Sequence, residues 1–321
     1  MLMKNAALAI DAEGLTRHFG RACVVDHVDL RVPAGSVCAL LGTNGAGKTT
    51  TVRMLATLLR PDDGTARIFG NDIIRHGLAV RSLIGLTGQY ATVDEDLTAA
   101  ENLTVFGRLV GSSRRAARSR ADELLDEFGL ADVAARPVRQ FSGGMRRRLD
   151  LAASMITRPR LLFLDEPTTG LDPRTRVQMW HTVRAMVAAG TTVLLTTQYL
   201  EEADQIADQI AVMDAGRIIA DGTAEELKAR CGDTHVRLEP REPGVLSTAA
   251  AVCAPFASRM VLIDEPGGCV RVPVADLDRL PELLLALRSQ RVELASVNVD
   301  RPSLDEVFFS LTGESATGAA A

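Results

Sequence analysis

The sequence lacks any long apolar run. No window of roughly 18 consecutive apolar residues occurs, so no segment is predicted to cross a membrane. The N-terminal residues MLMKNAALAIDAEG contain no apolar run of the signal-peptide kind and reach an acidic residue at Asp11, so we expect no secretion signal. An excess of positive charge is also missing. The formal net charge is −5, which argues against a dedicated nucleic-acid binder.

Cysteine is scarce and has no regular spacing. The odd number of cysteines and the absence of a CxxC pair argue against a disulfide framework or a zinc site. Cys38 lies in an apolar stretch, which is typical of a reduced core thiol in a cytoplasmic protein. None of the five histidines has metal-ligand spacing to another histidine or cysteine, so we expect no structural metal.

The length of the chain predicts two domains. A domain typically has about 100–200 residues, and this chain has 321 residues, of which 46% are hydrophobic. We place the boundary near Gly222, where the pattern changes. Residues 1–222 are predicted to form an α/β domain with a largely parallel sheet. Residues 223–321 have elements in the order βαββαβ, which predicts a small ferredoxin-like α+β domain.

Further elements are predicted inside the first domain. Residues 7–19 and 24–32 alternate in polarity, which indicates an antiparallel layer at the N-terminus. Residues 48–59 have helical spacing, and the proline and glycine that follow are expected to stop the helix. Residues 97–128 are mostly helical in pattern. We expect a helical subdomain over about residues 92–158, inserted into the α/β core.

A glycine-rich loop follows the apolar strand Val37–Leu41. Residues 42–49, GTNGAGKT, match G-x-x-x-x-G-K-[ST] without a mismatch, between a strand and a helix. In such a loop, backbone N–H groups close on phosphates, Lys48 reaches the β and γ oxygens, and the Thr49 hydroxyl binds Mg²⁺. The residues expected to bind nucleotide here are Gly42, Asn44, Gly45, Ala46, Gly47, Lys48, Thr49 and Thr50.

A second apolar strand ends in two acidic residues, in LLFLDEP at residues 161–167. We predict that Asp165 holds the metal through water and that Glu166 faces the attacking water as general base. The alternative is an acidic cap at a strand end. VLIDEP at residues 261–266 has the same pattern, but no phosphate loop precedes it in its own domain and two glycines follow. We therefore predict a β-hairpin there, without a catalytic Asp264 or Glu265.

The third motif is FSGGMRRRLDLA at residues 141–152. It begins a helix that we predict to run to about residue 157. Ser142 can cap this helix, and the N–H groups at its start can bind a γ-phosphate. The arginines at 146–148 are interpreted as a solvated helix face.

Together these motifs resemble a known family. The phosphate loop, Gln89, the SGG motif, LLFLDEP and GLD at residues 170–172 occur in the order of the ATP-binding subunit of ABC transporters. GLTGQYATVDEDLTAAENL, FSGGMRRRLDLAAS and LLTTQYLEEADQIAD are more closely similar to the daunorubicin-resistance type of exporter ATPase. The C-terminal RPSLDEVFFSLTG resembles the appended domain of that group. The resemblance implies an ABC-type P-loop ATPase core with an inserted helical subdomain.

The resemblance also implies roles for further residues. Phe19 lies where the family has an adenine-stacking aromatic, Gln89 matches a loop glutamine that senses Mg²⁺ and water, and Asp172 matches an aspartate that crosses the dimer interface. Gln198 replaces the histidine that usually contacts the γ-phosphate; an amide can donate there but cannot become cationic. The alternatives are a core position for Phe19 and an ordinary loop position for Gln198. Met145 replaces the glutamine of the family's LSGGQ motif, while the serine and glycine donors are kept.

The implied function is ATP hydrolysis by a head-to-tail dimer that powers efflux of an amphipathic drug, antibiotic or lipid. ATP on one copy would be capped by Ser142, Gly143 and Gly144 of a second copy. The chain would lie at the cytoplasmic face of the membrane on a separate permease, with Tyr90, Phe106 and Arg108 as docking candidates. The C-terminal domain would hold the dimer together or regulate it, and no nucleic-acid partner is expected.

Two alternatives stay open from the sequence. One is the ATPase of an ABC importer. The other is a soluble ABC-type ATPase that acts on ribosomes or DNA, although a single phosphate loop, the lack of a heptad run and the acidic balance argue against it.

Overall fold

The computed structural model describes residues 7–88, 93–231, 234–275 and 277–300, together with Leu304, Val307 and Phe308. The chain forms two compact units, which divide between Ala224 and Glu225, close to the boundary predicted near Gly222. Within the described ranges, no helix is long and apolar enough to cross a membrane.

The first unit alternates strands and helices along most of its length. In chain order, its elements are β1 (Leu8–Phe19), β2 (Ala22–Pro33), β3 (Val37–Leu41), α1 (Lys48–Leu55), β4 (Asp63–Ile68), β5 (Asn71–Asp72), α2 (Gly77–Leu83), β6 (Ile84–Thr87), α3 (Ala99–Leu109), α4 (Arg114–Glu127), α5 (Gly143–Ser154), β7 (Leu161–Asp165), α6 (Pro173–Ala188), β8 (Thr192–Thr197), α7 (Leu200–Ile206), β9 (Gln209–Asp214) and β10 (Arg217–Gly222). A further helix, α8 (Ala224–Cys231), begins at the division between the units.

Two sheets carry this unit. The antiparallel sheet has the order β2-β1-β4-β5, and the six-stranded sheet has the order β10-β9-β3-β8-β7-β6. In the second sheet the strands from β9 to β6 are parallel, while β10 is antiparallel to β9. Every residue of β3, β7 and β8 is buried, as expected for parallel strands that are covered on both faces. The predicted antiparallel layer and parallel core are confirmed.

One hydrophobic cluster contains residues of both sheets and of α1. Its members include Leu15 of β1, Leu40 of β3, Met54 of α1 and Phe163 of β7, all of which are buried completely. The antiparallel layer is therefore packed into the same core as the parallel sheet. This shared core fixes the loop after β3 between the two sheets.

The helices α3, α4 and α5 lie in the chain between β6 and β7, which are neighbours in the sheet. They fall within residues 92–158, where we predicted a helical insertion. The helix α3 begins with a capping box, in which the Thr98 hydroxyl accepts from the Glu101 N–H at 3.2 Å and Glu101 accepts from the Thr98 N–H at 2.9 Å. The predicted helical stretch is broken after Leu109, near Gly111, whose φ is +90°.

Two helices end earlier than the sequence predicted. The helix α1 ends at Leu55 rather than at residue 59, because Thr57 takes a left-handed φ of +62° and the N–H groups of Leu58 and Leu59 both bond to the Arg53 carbonyl. The helix α5 ends at Ser154 rather than near residue 157. Neither helix end has a glycine or a proline directly after it, so no stop signal is present in the sequence at either position.

The second unit has the order predicted for a ferredoxin-like domain. Its elements are β11 (Thr234–Pro240), α9 (Leu246–Cys253), β12 (Leu262–Asp264), β13 (Cys269–Val274), α10 (Leu280–Ser289) and β14 (Leu294–Asp300). The sheet order is β12-β13-β11-β14, and all its pairs are antiparallel. Its own hydrophobic cluster joins the sheet to both helices, through Val236, Leu238 and Leu283 among others. The three described residues beyond it, Leu304, Val307 and Phe308, are helical and buried.

The second DEP segment lies in this unit as a hairpin. The strands β12 and β13 pair antiparallel, with Asp264 opposite Cys269. The Asp264 carboxylate accepts the Gly267 N–H at 3.0 Å and so closes the turn. The prediction of a hairpin at VLIDEP is confirmed.

A core substitution tests the shared packing of the two sheets. Phe163→Ala removes a fully buried ring from the large cluster, so we expect it to lower the free energy of unfolding by about 3–5 kcal/mol. The measurement is urea unfolding followed by the fluorescence of Trp180, the only tryptophan, which lies in α6 of the same unit. Phe19→Ala is the matched control, because that ring is 50% exposed and its removal should cost under about 0.5 kcal/mol. Equal losses from both substitutions would contradict the packing described here.

Candidate functional site

The predicted site residues lie at one edge of the six-stranded sheet. The strands β3, β8 and β7 are parallel neighbours, and Asp165 of β7 pairs with Thr196 of β8. The phosphate loop follows β3, Glu166 follows β7 and Gln198 follows β8. Because parallel strands end at the same edge, these segments are brought together by the fold.

The phosphate loop turns from β3 into α1 in a space too small for side chains at two glycines. A Cβ at Gly42 would lie 2.3 Å from the Met213 carbonyl oxygen, and one at Gly47 would lie 2.6 Å from the Val24 carbonyl oxygen. Gly47 also has a φ of +104°, which favours glycine. The loop is held from behind by the Gly216 N–H, which donates to the Ala46 carbonyl at 3.0 Å. The two glycines are therefore required by the packing of this loop.

Lys48 is the buried cation of the site. Its side chain is 5% exposed, and its ammonium donates to the carbonyls of Gly42 at 2.8 Å and Thr43 at 2.9 Å. The Nζ atom lies 3.9 Å from Oε1 of Glu166. Burial lowers the pKa of Lys48, while the nearby carboxylates of Glu166 and Asp165 oppose that shift. The ammonium lies at the start of α1, where the helix end also favours an anion.

The Asp165 carboxylate is bonded to two threonines from different elements. The Thr49 hydroxyl lies 3.0 Å from each carboxylate oxygen, and the Thr196 hydroxyl donates to Oδ1 at 2.5 Å. Asp165 itself is only 6% exposed. A hydroxyl and a carboxylate side by side are oxygen donors of the kind that Mg²⁺ prefers.

Glu166 leaves the strand through a left-handed turn. Its φ is +49°, and its N–H donates to the carbonyl and to the hydroxyl of Thr196, at 3.1 and 3.0 Å. Such a conformation costs a residue other than glycine roughly 1–3 kcal/mol and needs support from its surroundings. Oε2 accepts the Thr169 hydroxyl at 3.3 Å, and Oε1 lies on the Lys48 side. The carboxylate is thereby directed toward the phosphate loop.

These residues enclose a cleft of about 340 Å³. The residues that line it are Val24, Asn44, Gly45, Gly47, Lys48, Thr49, Thr50 and Glu166. A buried ammonium, a helix N-terminus and a glycine loop on one side suit a polyphosphate, and the carboxylate on the other side suits a base for a water molecule.

Comparison with known proteins agrees with this geometry. Residues 25–169 match the family model described as ABC transporter, and residues 222–312 match the one described as ATP-binding protein DrrA1-3-like, C-terminal domain. The chain is 53% identical to the daunorubicin resistance ATP-binding protein DrrA3 of Streptomyces coeruleorubidus, over 96% of this chain and 97% of that protein.

The chain belongs to the DrrA-like ATP-binding proteins of ABC transporters.

A wider set of relatives and structures agrees with this assignment. The chain is 40% identical to the Nod factor export ATP-binding protein I of Ralstonia nicotianae, over 95% of this chain and 94% of that protein. A solved ATP-binding subunit of an ABC transporter is 27% identical with a TM-score of 0.61, over 69% of this chain and 92% of that one. CbiO1 of Clostridium perfringens, part of the CbiONQ transporter complex, shares the fold at 24% identity and a TM-score of 0.65, over 70% and 91%. The predicted family, ATPase core and ATP hydrolysis are confirmed.

In this ABC protein, Phe19 lies at the end of β1 and is not a core residue. Its side chain is 50% exposed, and the Arg17 guanidinium lies 5.1 Å from the ring centroid. The alternative of a core position is therefore wrong. An exposed aromatic face is available for a flat ligand group.

The SGG motif and Asp172 meet at the starts of two helices. Ser142 caps α5 by accepting the Met145 N–H at 3.3 Å, and Asp172 caps α6 by accepting the N–H and the hydroxyl of Thr175, at 3.1 and 2.6 Å. These bonds from Thr175 lower the pKa of Asp172. A Cβ at Gly144 would lie 2.5 Å from the Thr175 methyl group, so the two helix starts are in close contact. Ser142, Gly143, Gly144 and Asp172 are not among the residues that line the Lys48 cleft.

Of the two glutamines predicted for the site, the structure describes Gln198 but not Gln89. Gln198 follows β8 directly, beside Thr197, whose hydroxyl accepts the Tyr199 N–H at 2.9 Å. It therefore lies at the same sheet edge as Asp165 and the phosphate loop. Gln89 and Tyr90 lie outside the described residues.

Arg147 was missed by sequence reasoning. We interpreted the arginines at 146–148 as a solvated helix face, but the Arg147 side chain is 12% exposed and bonds to backbone carbonyls beside the site. The interpretation was wrong for this residue. Its spacing of three to Asp150, which is buried, is the one signal in the sequence that could have placed it on the inner face of the helix.

Glu202 was also missed. It is completely buried in α7, and Trp180 of α6 donates to its Oε1 from Nε1 at 3.4 Å. Burial raises the pKa of Glu202, while Thr197, Thr168 and Trp180 oppose that shift. The carboxyl therefore lies between the segment that follows Glu166 and the segment that carries Gln198. Only the acidic sequence EEAD marked this position, and it does not distinguish Glu202 from its exposed neighbour.

The raised pKa of Glu202 predicts a pH-dependent stability. Because the folded chain keeps this proton to a higher pH than the unfolded chain, whose Glu pKa is near 4.5, the free energy of unfolding falls as pH rises from 4.5 to the raised pKa. Glu202→Gln removes this loss, so its stability should decline less than that of the wild type over that range. Urea unfolding at a series of pH values measures this.

The control for this experiment is Glu201→Gln. The Glu201 side chain is 68% exposed and lies 3.7 Å from Arg176, so its removal should leave the wild-type pH dependence unchanged. Parallel curves for Glu202→Gln and the wild type would contradict the prediction.

Proposed function

We propose that this chain is the ATP-hydrolysing subunit of an exporter that moves an amphipathic drug, antibiotic or lipid through a separate membrane permease. Lys48, Thr49 and Glu166 line one cleft, and Thr49 bonds to Asp165; this arrangement carries the proposal of hydrolysis. The relatives include proteins named for daunorubicin resistance and for Nod factor export, which supports the direction of transport.

Binding of ATP is assigned to the phosphate loop and to Phe19. The N–H groups of Asn44, Gly45 and Gly47 face the phosphates at the start of α1, and Lys48 and Thr50 complete the loop. Gly42 and Ala46 shape the loop, because their N–H groups donate to the carbonyls of Thr197 and Thr43, each at 3.2 Å. The Lys48 ammonium neutralises the negative charge on the β and γ oxygens. Its Nζ atom lies 3.9 Å from Oε1 of Glu166, so these oxygens would be bound close to the Glu166 carboxylate. The exposed ring of Phe19 stacks on the adenine.

The cleft suits a Mg²⁺ ion. The oxygens of Thr49 and Asp165, 3.0 Å apart, are hard donors on one side of the phosphate position. Thr49 would bind the ion directly, and Asp165 and Gln89 would hold it through water. When bound, the ion supplies positive charge to the phosphate oxygens.

Glu166 is the general base in this proposal. Its carboxylate lines the cleft opposite the loop, and its direction is supported by Thr169 and Lys48. It accepts the proton of the water that attacks the γ-phosphorus, and the bond to the leaving ADP oxygen breaks. Gln198, at the same sheet edge, donates a hydrogen bond to the γ-phosphate in place of the family's histidine.

A second copy of the chain completes the site. Ser142, Gly143, Gly144 and Asp172 form a separate group at the starts of α5 and α6, away from the lining of the Lys48 cleft. This separation supports a head-to-tail dimer in which that group caps the ATP of the partner. ATP would then act as a ligand for the closed dimer, and hydrolysis would release it.

Glu166→Gln tests the role of the base. The substitution keeps the size and hydrogen-bonding capacity of the side chain but removes the proton acceptor, so turnover should fall at least about 100-fold while ATP binding persists. With ATP, the variant should accumulate as a dimer in size-exclusion chromatography with light scattering.

Glu265→Gln is the matched control. It changes the corresponding residue of the second DEP segment, which lies in the hairpin of the C-terminal unit, and should leave turnover unchanged. A Glu166→Gln protein that hydrolyses ATP near the wild-type rate would contradict the assignment.

Copurification tests the membrane partner. We expect tagged Glu166→Gln protein, purified with ATP from detergent-solubilised membranes of its native host, to bring a stoichiometric multi-span membrane protein, identified by mass spectrometry. The same variant without ATP is the control for nonspecific recovery. Recovery only from the soluble fraction, with ribosomal proteins or nucleic acid, would instead support the alternative of a soluble ABC-type ATPase.

A further inference from the structure

The Arg147 guanidinium is saturated with acceptors. Its Nε donates to the Pro167 carbonyl at 2.9 Å, and Nη1 donates to the Gly88 carbonyl at 2.9 Å and to Asp150 at 3.4 Å. Nη2 donates to the carbonyls of Asp165 at 3.3 Å and Glu166 at 3.4 Å. A guanidinium has five N–H donors, so these bonds use all of them.

Three of these acceptors are successive carbonyls of the segment that carries the proposed metal ligand and base. The left-handed turn at Glu166, with φ of +49°, brings the carbonyls of Asp165, Glu166 and Pro167 around one planar group. A strained turn persists only when its surroundings fix it. On the one side the Glu166 N–H is held by Thr196, and on the other its carbonyl is held by Arg147.

The same side chain joins three separate segments. Arg147 belongs to α5, the helix that begins at Ser142. It contacts the end of β7 through the DEP carbonyls and the residue just beyond β6 through the Gly88 carbonyl. Asp150, one turn along α5 and 1% exposed, holds the guanidinium from its own helix. A displacement of α5 relative to β7 must therefore stretch bonds to the backbone of Glu166.

A lysine cannot replace this set of contacts. The guanidinium is a rigid planar fork with donors on three nitrogens, whereas an ammonium is a single point with three donors. Burial lowers the pKa of Arg147, and Asp150, Asp165 and Glu202 oppose that shift. An arginine remains charged in such a place, so Arg147 also keeps a positive charge near the Asp165 carboxylate.

We propose that Arg147 is a positioning residue for ATP hydrolysis: its guanidinium holds the carbonyls of residues 165–167, so that the Glu166 carboxylate keeps its direction only while α5 is in place. The inference rests on the proposed role of Glu166 as base. Arg147 does not line the Lys48 cleft. It therefore acts through Glu166, and it makes hydrolysis depend on the position of the helix that carries Ser142 and Gly144.

Arg147→Lys is the primary test. Displacement of a catalytic group by about 1 Å costs on the order of 100-fold in rate, so the kcat for ATP should fall by about 10-fold to 100-fold. The affinity for a non-hydrolysable ATP analogue should stay within about threefold, because no contact of the phosphate loop is changed. Arg147→Gln, which keeps amide donors without the fork, should show the same division between turnover and binding and serves if Arg147→Lys folds poorly.

Arg148→Lys is the matched control. Arg148 is the next residue of the same helix, and its guanidinium also bonds to two carbonyls, those of Phe128 at 3.2 Å and Gly129 at 3.4 Å. Those carbonyls lie outside the site, so turnover should stay near the wild-type value. A thermal unfolding curve for each variant shows whether any loss of turnover follows a loss of folded protein.

A double substitution separates positioning from general damage. In a Glu166→Gln background the group that Arg147 positions has been removed, so Arg147→Lys should cause little further loss in single-turnover hydrolysis. If Arg147→Lys lowers the rate by the same factor in the Glu166→Gln background as in the wild type, the proposal is overturned. A kcat of Arg147→Lys within twofold of the wild type would also overturn it.

Failure of the proposed function is seen separately. It would appear as absent ATP hydrolysis in the wild type, or as equal hydrolysis by the wild type and Lys48→Ala, before any Arg147 variant is compared. Either result would remove the reaction on which the positioning role depends, whereas an active wild type with an unaffected Arg147→Lys would overturn the positioning role alone.

Discussion

The site depends on one buried carboxylate that is shared between two hydroxyls. Asp165 ends a completely buried strand, and a charge at that depth is stable only when it is paired or bonded. Thr196 and Thr49 supply the bonds from β8 and from the first turn of α1. Since Thr49 follows Lys48, these bonds also fix the phosphate loop against the strand that carries Glu166. The position of the cation relative to the base follows from this arrangement.

The sequence was sufficient for residues whose role is set by a local pattern. Lys48, Thr49 and the Asp165–Glu166 pair occur in short motifs that contain both the element boundary and the chemistry, so their meeting could be predicted from parallel strand ends. The hairpin at VLIDEP was predictable for the same reason, because its glycines mark the turn. The family resemblance added Phe19, Gln198 and Asp172, which have no local motif of their own. Their placement follows from the fold; their roles are still proposals.

Other features could not be predicted, because their partners are distant or lack a side-chain signature. Arg147 bonds mainly to backbone carbonyls. Because every residue has a backbone carbonyl, the sequence does not indicate which ones an arginine will contact. Glu202 is buried while Glu201 beside it is exposed, a difference that depends on how α6 and α7 pack. The early end of α1 depends on the left-handed backbone conformation of Thr57, which the identity of the residue does not predict.

The proposed stacking of a nucleotide base on the exposed ring of Phe19 has a consequence for which nucleotide the protein uses. A ring face recognises the π-surface of a base and not the pattern of donors and acceptors along its edge, and every purine offers such a surface. Stacking alone would therefore admit guanine nearly as well as adenine, while the phosphate loop contacts only what all nucleoside triphosphates share. With these contacts alone, the protein would hydrolyse whichever purine triphosphate is most abundant in the cell. The nucleotide used would then depend on cellular concentration more than on recognition of the base.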